Sequence, residues 1–266
     1  MTKEFLPKFE SKEQVVTKYV IDCRRHGEKE PGEKEGRRPG LTEKGKAQGR
    51  MISQFKGPYY NTGDTYISKI GRTEQTGAAM QETQWPKAKE VLKLPEGQII
   101  AREELGDEKF WENNKFREKY FQMKEAKGVN AAAEWYLDFK DKSPYGALAP
   151  AEAAAGYSSV ILELVNKLDK GKEKSKTGVL PKTIISHDLI MEPFLFYAIG
   201  EQVMANQSSP GKTFMEKIGG AIDVVHGFQI EIEKGGKEIT ALLSFRGHKY
   251  SIDLENLQKL TVRYEK

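Results

Sequence analysis

The chain has 266 residues, of which 38% are hydrophobic and 31% are charged, a balance that favours one sizeable α/β domain and argues against wholesale disorder. Its 43 lysines and arginines barely exceed its 39 acids and form no basic arm, so neither nucleic acid nor a membrane is indicated as a partner. The single cysteine, Cys23, cannot form an intramolecular disulfide, and no stretch reaches the roughly 18 apolar residues of a membrane span. We therefore expect a cytoplasmic protein, of an oligomeric state that the composition does not indicate.

The first clear element is a strand over 18–26. The segment KYVIDCRRH rises from polar flanks into a short β-branched run and ends on His26, which is thereby placed at the strand's carboxyl end. A charged loop rich in glycine and proline follows. Thr42 is then a suitable N-cap for a helix that runs through about Phe55.

The order of strand and then helix recurs in the next part of the chain. DTYISKIGR, at 64–72, predicts a second strand and places Arg72 at its carboxyl end. A helix over 73–92 should follow this strand. A third and shorter strand is predicted at 97–105.

Two helical segments precede the next strand. An aromatic-rich, charged region at 110–139 is predicted to be helical and to cover a site at the strand ends, and 151–168 has the apolar spacing of a helix that packs on a sheet. KTIISHDLI then repeats the strand pattern and places His187 and Asp188 at a further carboxyl end. A helix over 192–206 should follow.

The C-terminal segments FQIEIEKGGKEITALLSF and HKYSIDL alternate and contain Gly235-Gly236, which predicts a β-hairpin at the edge of a sheet. Because strands alternate with helices before it, we expect a three-layer α/β/α single domain with a mostly parallel central sheet. Its core should span about 18–205, with a C-terminal helix and hairpin extension at about 206–266. Ligands of such sheets bind outside the carboxyl ends of the strands, where the candidate residues converge.

These candidate residues suit a phosphoryl group. The planar fork of arginine matches two phosphate oxygens, so Arg25 and Arg72, together with His187, can surround a phosphoryl group with donors and positive charge. A neutral, oriented imidazole is a competent nucleophile, and this role is predicted for His26. The leaving alkoxide needs a proton from a carboxylic acid. The candidates for that acid are Asp188, Glu103 and Glu104.

Four motifs resemble, in the right order, those of the histidine phosphatase, or phosphoglycerate-mutase-like, superfamily. CRRHGEKE resembles its R-H-G motif, and LTEKGKAQG resembles the helix start that follows. YISKIGRTEQTGAAM is similar to its second arginine motif, with Arg72 in the place of the arginine. IISHDLIMEPFLFYAIG resembles the segment around its second histidine, here His187. The resemblance covers about 18–205.

The resemblance implies a phosphohistidine mechanism without a metal or cofactor. His26 would be the nucleophile, and Arg25, Arg72 and His187 would be the phosphate ligands. It implies catalysis by a phosphatase, a phosphoric monoester hydrolase, that acts on a small phosphorylated substrate. A phosphoglycerate-mutase-type phosphomutase and a non-catalytic module that binds a phosphorylated ligand are the alternatives.

The general acid is where this sequence departs from the superfamily pattern. In the phosphoglycerate-mutase-like branch the acid is a glutamate, usually four residues before a glycine, but Arg102 holds that place here and Glu103 comes one residue late. In the phytase-like branch the acid is an aspartate directly after the second histidine, as Asp188 is. Helix capping alone would also explain Asp188. Asp188 and the Glu103/Glu104 pair therefore both remain candidates.

Overall fold

The computed structural model describes most of the chain. The described residues are 14–30, 40–56, 63–81, 97–175, 177–205 and 210–264. Most of the charged loop after His26 and the predicted continuation of the second helix to residue 92 lie outside them.

The elements alternate along the chain much as the sequence predicts. The strands are β1 (Gln14–Val15), β2 (Lys18–Arg25), β3 (Thr65–Ile67), β4 (Ile99–Ala101), β5 (Lys174–Ser175), β6 (Val179–Ser186), β7 (Gly227–Gly235), β8 (Glu238–Phe245) and β9 (His248–Ser251). The helices are α1 (Glu43–Lys56), α2 (Gly71–Gln81), α3 (Glu108–Trp111), α4 (Asn114–Lys127), α5 (Val129–Leu137), α6 (Pro150–Asp169), α7 (Asp188–Met204), α8 (Phe214–Lys217) and α9 (Leu254–Tyr264). Short 3₁₀ turns occupy Glu103–Leu105 and Pro144–Gly146.

Among the described residues, seven strands form the main sheet in the order β4-β3-β6-β2-β7-β8-β9. The first four are mutually parallel, and β7, β8 and β9 add an antiparallel edge that begins where β7 pairs with β2. β2 is therefore central, and its Tyr19, Ile21 and Cys23 are fully buried. The predicted fold class, an α/β protein with a mostly parallel core and an edge hairpin, is confirmed.

Both faces of the sheet are covered. On β6, Ile184 packs into the larger apolar core, whereas the next residue, Ile185, packs with Met80 of α2 and Ile52 of α1 on the opposite face. Successive strand residues point to opposite faces, so this pair separates the two helical layers. α6 packs against α7 and α9 on the side of the larger core. Within the described residues, no helix is long and apolar enough to cross a membrane.

The local boundaries depart from the predictions in two places that matter for the site. β3 ends at Ile67 because the hydroxyl of Ser68 accepts a hydrogen bond from the backbone of Ile70 at 3.2 Å and turns the chain. The prediction that Arg72 ends a strand is therefore wrong. Arg72 is the second residue of α2. α7 begins at Asp188, four residues earlier than predicted, directly after His187.

Other boundaries agree more closely. Thr42 caps α1, since its Oγ1 accepts from the Gly45 amide at 2.9 Å, as predicted. The hairpin turns at Gly236 and Lys237, one residue later than predicted, and Gly236 supplies the positive φ of 67° that the turn requires. The third strand is only Ile99–Ala101, because a 3₁₀ turn follows.

A buried lysine ties β6 to two neighbouring segments. Lys182 is 1% exposed, and its Nζ donates to Asp64 Oδ2 and Glu173 Oε1, each at 2.8 Å. Burial raises the pKa of Asp64, but the bond from Lys182 outweighs it, so the net pKa is lowered. The pair therefore stabilises the fold at neutral pH and loses this contribution as the pH falls through that lowered pKa.

We expect Lys182→Ala to lower the free energy of unfolding by about 2–4 kcal/mol, because it removes a buried cation and leaves two carboxylates behind. Lys182→Met keeps the aliphatic stem, so its loss should be smaller. Urea denaturation at pH 7 measures both variants. Equal losses would show that the ion pairs, and not packing of the stem, set the effect.

Candidate functional site

The carboxyl ends of three parallel strands meet at one edge of the sheet. Arg25 at the end of β2 is in register with Ser186 at the end of β6, and Ile67 of β3 is in register with Ile185. The residues that follow these strands therefore emerge side by side. The structure brings together five of the predicted residues at this edge: Arg25, His26, Arg72, His187 and Asp188.

His26 is 3% exposed and is held at both ring nitrogens. The Nε of Arg72 donates to its Nε2 at 3.1 Å, and its Nδ1 lies 2.7 Å from the carbonyl oxygen of Gly27. A guanidinium has no acceptor and a carbonyl has no donor. His26 is therefore the tautomer that carries its proton on Nδ1, with the lone pair of Nε2 directed at the site.

His187 is fully buried, and its ring centroid lies 5.0 Å from that of His26. Arg72 Nη2 donates to its Nδ1 at 3.1 Å, so the ring proton is on Nε2, which lies 3.0 Å from Ser68 Oγ. Ser68 is in turn 2.9 Å from the hydroxyl of Thr73. The two histidines thus have opposite tautomers, each set by a fixed partner.

Asp107 is a site residue that the sequence reasoning missed. Its carboxylate accepts from Arg72 Nη2 at 2.9 and 3.2 Å, and it is 2% exposed beside an arginine that is 4% exposed. Its Oδ2 also lies 3.6 Å from His187 Nδ1. Asp107 balances the buried charge of Arg72 and fixes its orientation. Its sequence signal is weak: an acid that follows Gly106, just past the third strand.

Arg25 and Asp188 form the second ion pair of the site. Arg25 Nη2 lies 2.9 Å from Asp188 Oδ2, and Arg25 Nη1 donates to the carbonyl of Ile222 at 2.7 Å. Both charged side chains are about one-fifth exposed. Asp188 is the first residue of α7 and His187 is the N-cap, so the capping role considered for Asp188 is wrong.

The other candidate acids lie apart from these groups. The Glu103 side chain is 76% exposed and pairs with Lys69, whose hydrogen bond lowers the pKa of Glu103. Glu104 pairs with Arg102. Neither has a hydrogen bond or ion pair with His26, His187 or either site arginine among the described contacts.

Burial and neighbouring charge keep both imidazoles neutral. Burial lowers the pKa of His26 well below its ordinary value, and His187 and Arg72 add to the effect. Burial and then Arg72 lower the pKa of His187 in the same direction. Burial acts to raise the pKa of Asp188, but Arg25, His26 and His187 together bring it down to about 2. At neutral pH the free site thus contains two neutral rings and an ionised Asp188.

Lys29, in the charged loop after His26, is a further cation whose pKa responds to the site charges. Although the residue is exposed as a whole, the protein around its ammonium and the charge of Arg72 lower its pKa, while Asp188 and Asp107 oppose the shift.

Gly27 is required by the packing of α1. A Cβ at Gly27 would lie 2.6 Å from the carbonyl oxygen of Gly45 in α1. A Cβ at Gly45 would likewise lie 2.2 Å from the carbonyl oxygen of Glu28. The two glycines let α1 pack on the backbone next to His26. The amide of Gly27 also donates to Thr76 Oγ1 at 3.0 Å, which ties the same backbone to α2.

The arrangement can bind a tetrahedral anion and offer it a nucleophile. Arg25 and Arg72 supply donors and positive charge beside the two rings, and the lone pair of His26 Nε2 faces this space. Within the described residues, no cluster of three or more histidine, cysteine or acidic side chains could hold a metal ion.

We expect His26 and His187 to remain neutral at pH 6, where most histidines carry substantial charge, because burial and Arg72 disfavour the imidazolium. Two-dimensional ¹H–¹⁵N spectra of the ring nitrogens should also show opposite tautomers, with the proton on Nδ1 in His26 and on Nε2 in His187. An imidazolium pattern for His26 at pH 7 would contradict this description.

Comparisons with known proteins agree with this geometry at the level of the fold. No protein-family model matches the chain, and no curated protein matches its sequence. Two solved mycobacterial hydrolases match with TM-scores of 0.53 and 0.52 at 14% identity, covering 88% and 94% of this chain and 99% and 98% of theirs. A complex of a mycobacterial glucosyl-3-phosphoglycerate phosphatase with inorganic phosphate matches with a TM-score of 0.50 at 14% identity. The match covers 88% of this chain and 98% of that one. The chain therefore shares its fold with these three solved structures.

Proposed function

We propose that the protein is a phosphatase that hydrolyses a small phosphomonoester through a phosphohistidine at His26. The observation that carries this proposal is the state of His26: a buried, neutral ring whose Nδ1 proton is held by the Gly27 carbonyl and whose Nε2 lone pair faces Arg72. A nucleophile needs this lone pair at neutral pH. The similarity to a phosphatase fold agrees with the proposal but does not by itself assign an activity.

In the first step the phosphoryl group displaces Arg72 from His26. Arg72 now donates to His26 Nε2, so an incoming phosphoryl oxygen takes that hydrogen bond while the phosphorus comes into line with Nε2. The N–P bond forms as the ester P–O bond breaks. Arg25 and Arg72 then bind the equatorial oxygens and stabilise the charge that spreads over them. His187 joins them as a donor once the negative charge of the phosphate raises its pKa and Nδ1 takes up a proton.

Asp188 is the acid that the geometry favours for the leaving alkoxide. It contacts Arg25, whereas Glu103 is solvated and paired with Lys69. Asp188 is ionised in the free site, with a pKa of about 2. A bound dianionic phosphate occupies Arg25 and adds negative charge next to Asp188, and both effects raise its pKa toward protonation. After donating its proton, Asp188 can accept one from the water that cleaves the N–P bond.

The positive charge of this pocket comes from side chains, so we propose a reaction that is independent of metal ions. Arg25, Arg72 and Lys29 supply it, and Asp107 keeps Arg72 oriented between the two rings. The substrate class follows from the same chemistry: a monoester whose phosphate carries two negative charges.

We expect the wild-type protein to release phosphate from p-nitrophenyl phosphate in the presence of EDTA, and His26→Ala to lose at least about a thousandfold in kcat. His248→Ala, on the exposed edge strand β9, is the matched histidine control and should retain full activity. Brief incubation with ³²P-labelled substrate should leave an acid-labile, alkali-stable label on the wild-type protein that is absent from His26→Ala.

Two results would count against this reaction. Loss of activity with EDTA, restored by a divalent cation, would indicate metal catalysis. Binding of phosphate without turnover by the wild type would instead leave a non-catalytic module that binds a phosphorylated ligand.

We expect Asp188→Asn to slow alkyl phosphates, which have poor leaving groups, by about two to four orders of magnitude, and to slow p-nitrophenyl phosphate much less. The reason is that nitrophenolate leaves without a proton. The comparison of kcat/KM for both esters in Asp188→Asn and Glu103→Gln measures the difference. A leaving-group effect confined to Glu103→Gln would assign the acid to Glu103.

A further inference from the structure

The backbone behind the catalytic edge is held by a segment from the C-terminal part of the chain, residues 218–226, here called the bracing segment. The amide of Val225 donates to the carbonyl of His26 at 3.3 Å, and the carbonyl of Ile222 accepts from Arg25 Nη1 at 2.7 Å. The bracing segment therefore contacts both the nucleophile and one of the proposed phosphate ligands.

Side chains from three different elements hold the bracing segment. Arg246, in the turn between β8 and β9, donates to carbonyls of this segment, and Asn130 of α5 accepts from the Ala221 amide at 2.9 Å. Glu192 of α7 accepts from the Ile222 amide at 3.0 Å. Ile222 is thus held on both sides: its N–H by Glu192 and its C=O by Arg25.

Glu192 is 3% exposed and lies one helical turn after Asp188, on the same face of α7. The titratable and charged groups that face it are Asp188 on its own helix, Arg25 on β2 and Tyr120 on α4. Burial raises the pKa of Glu192 well above its ordinary value, Asp188 adds to this, and Arg25 only partly opposes it. Burial therefore favours the neutral, protonated form of Glu192.

The surroundings of Glu192 agree with a neutral group. Its Oε2 is buried and has no hydrogen-bond partner among the described residues. The adjoining cavity, lined in part by Tyr120, Asp188 and Glu192, has a volume of about 10 Å³, which is room for one water at most. Such a site cannot solvate a carboxylate, so Oε1 acts as a neutral acceptor for Ile222.

We propose that Glu192 is a positioning residue that fixes the Ile222 backbone and, through it, the Arg25 guanidinium in the phosphate site. Asp188 holds one end of this guanidinium, and Ile222 holds the other. Without Glu192 the Ile222 amide has no acceptor in a buried region, and the carbonyl that orients Arg25 shifts with it. This inference rests on the proposed function, in which Arg25 is a phosphate ligand.

The test compares Glu192→Gln, Glu192→Ala, Arg25→Ala and the double variant Arg25→Ala/Glu192→Ala. Two quantities are measured: the Kd of inorganic phosphate by calorimetry and kcat/KM with p-nitrophenyl phosphate. Glutamine keeps a neutral acceptor, so Glu192→Gln should stay within about twofold of the wild type, with an unchanged pH profile. Glu192→Ala should raise the Kd of inorganic phosphate about tenfold and lower kcat/KM about tenfold. Glu201→Ala, an exposed glutamate on the same helix, is the matched control.

The double variant separates positioning from general stability. If Glu192 acts through Arg25, Glu192→Ala should have no further effect in the Arg25→Ala background, whereas a merely structural role would add its own loss. If Glu192→Ala does not fold, Glu192→Asp replaces it, since a side chain shorter by one methylene no longer reaches Ile222 and should give a similar loss.

Three results would overturn the inference: additive losses in the double variant, wild-type behaviour of Glu192→Ala, or equal damage by Glu192→Gln and Glu192→Ala. The failure of the proposed function looks different, because the wild type itself would then neither bind inorganic phosphate nor release it from the ester.

Discussion

Three buried groups share the guanidinium of Arg72, and the chemistry of the site depends on that sharing. It donates to one imidazole through Nε and to the other through Nη2, while Asp107 accepts from Nη2 as well. The Arg72 cation disfavours protonation of the two buried rings next to it. The Asp107 carboxylate offsets the free-energy cost of burying the guanidinium. Arg72 therefore adds to the effect of burial in keeping His26 and His187 neutral, and it accounts for their tautomers before any ligand arrives.

The sequence could predict which residues meet but not how they are joined. His26 and His187 follow buried, β-branched strands, and the carboxyl ends of parallel strands share an edge, so their proximity follows from pattern alone. Arg72 was placed on a strand because the period of DTYISKIGR suits one; the hydroxyl of Ser68 ends the strand early. The partnership of Asp107 with Arg72 depends on packing between distant segments, which no local pattern records.

Environment, and not residue type, distinguishes the carboxylates around Arg25. Asp188 and Glu192 are one turn apart on α7, yet the first pairs directly with the guanidinium and is ionised, whereas the second is enclosed and retains its proton. Sequence reasoning identified Asp188 by its position after His187. It had no means to identify Glu192, because the partner of Glu192 is a backbone amide 30 residues away in the chain.

The bracing segment has a consequence for the timing of activity during synthesis. All the side chains proposed to contact the phosphoryl group precede residue 189, but the backbone of His26 and the head of Arg25 are held by residues 222 and 225, and Val225 has a positive φ of 56° that a β-branched residue adopts only under constraint. Arg246, later in the chain, donates to a carbonyl of the same bracing segment. A nascent chain would thus contain all of these side chains well before it could orient them, and the proposed site would be ordered only once the antiparallel edge of the sheet had left the ribosome.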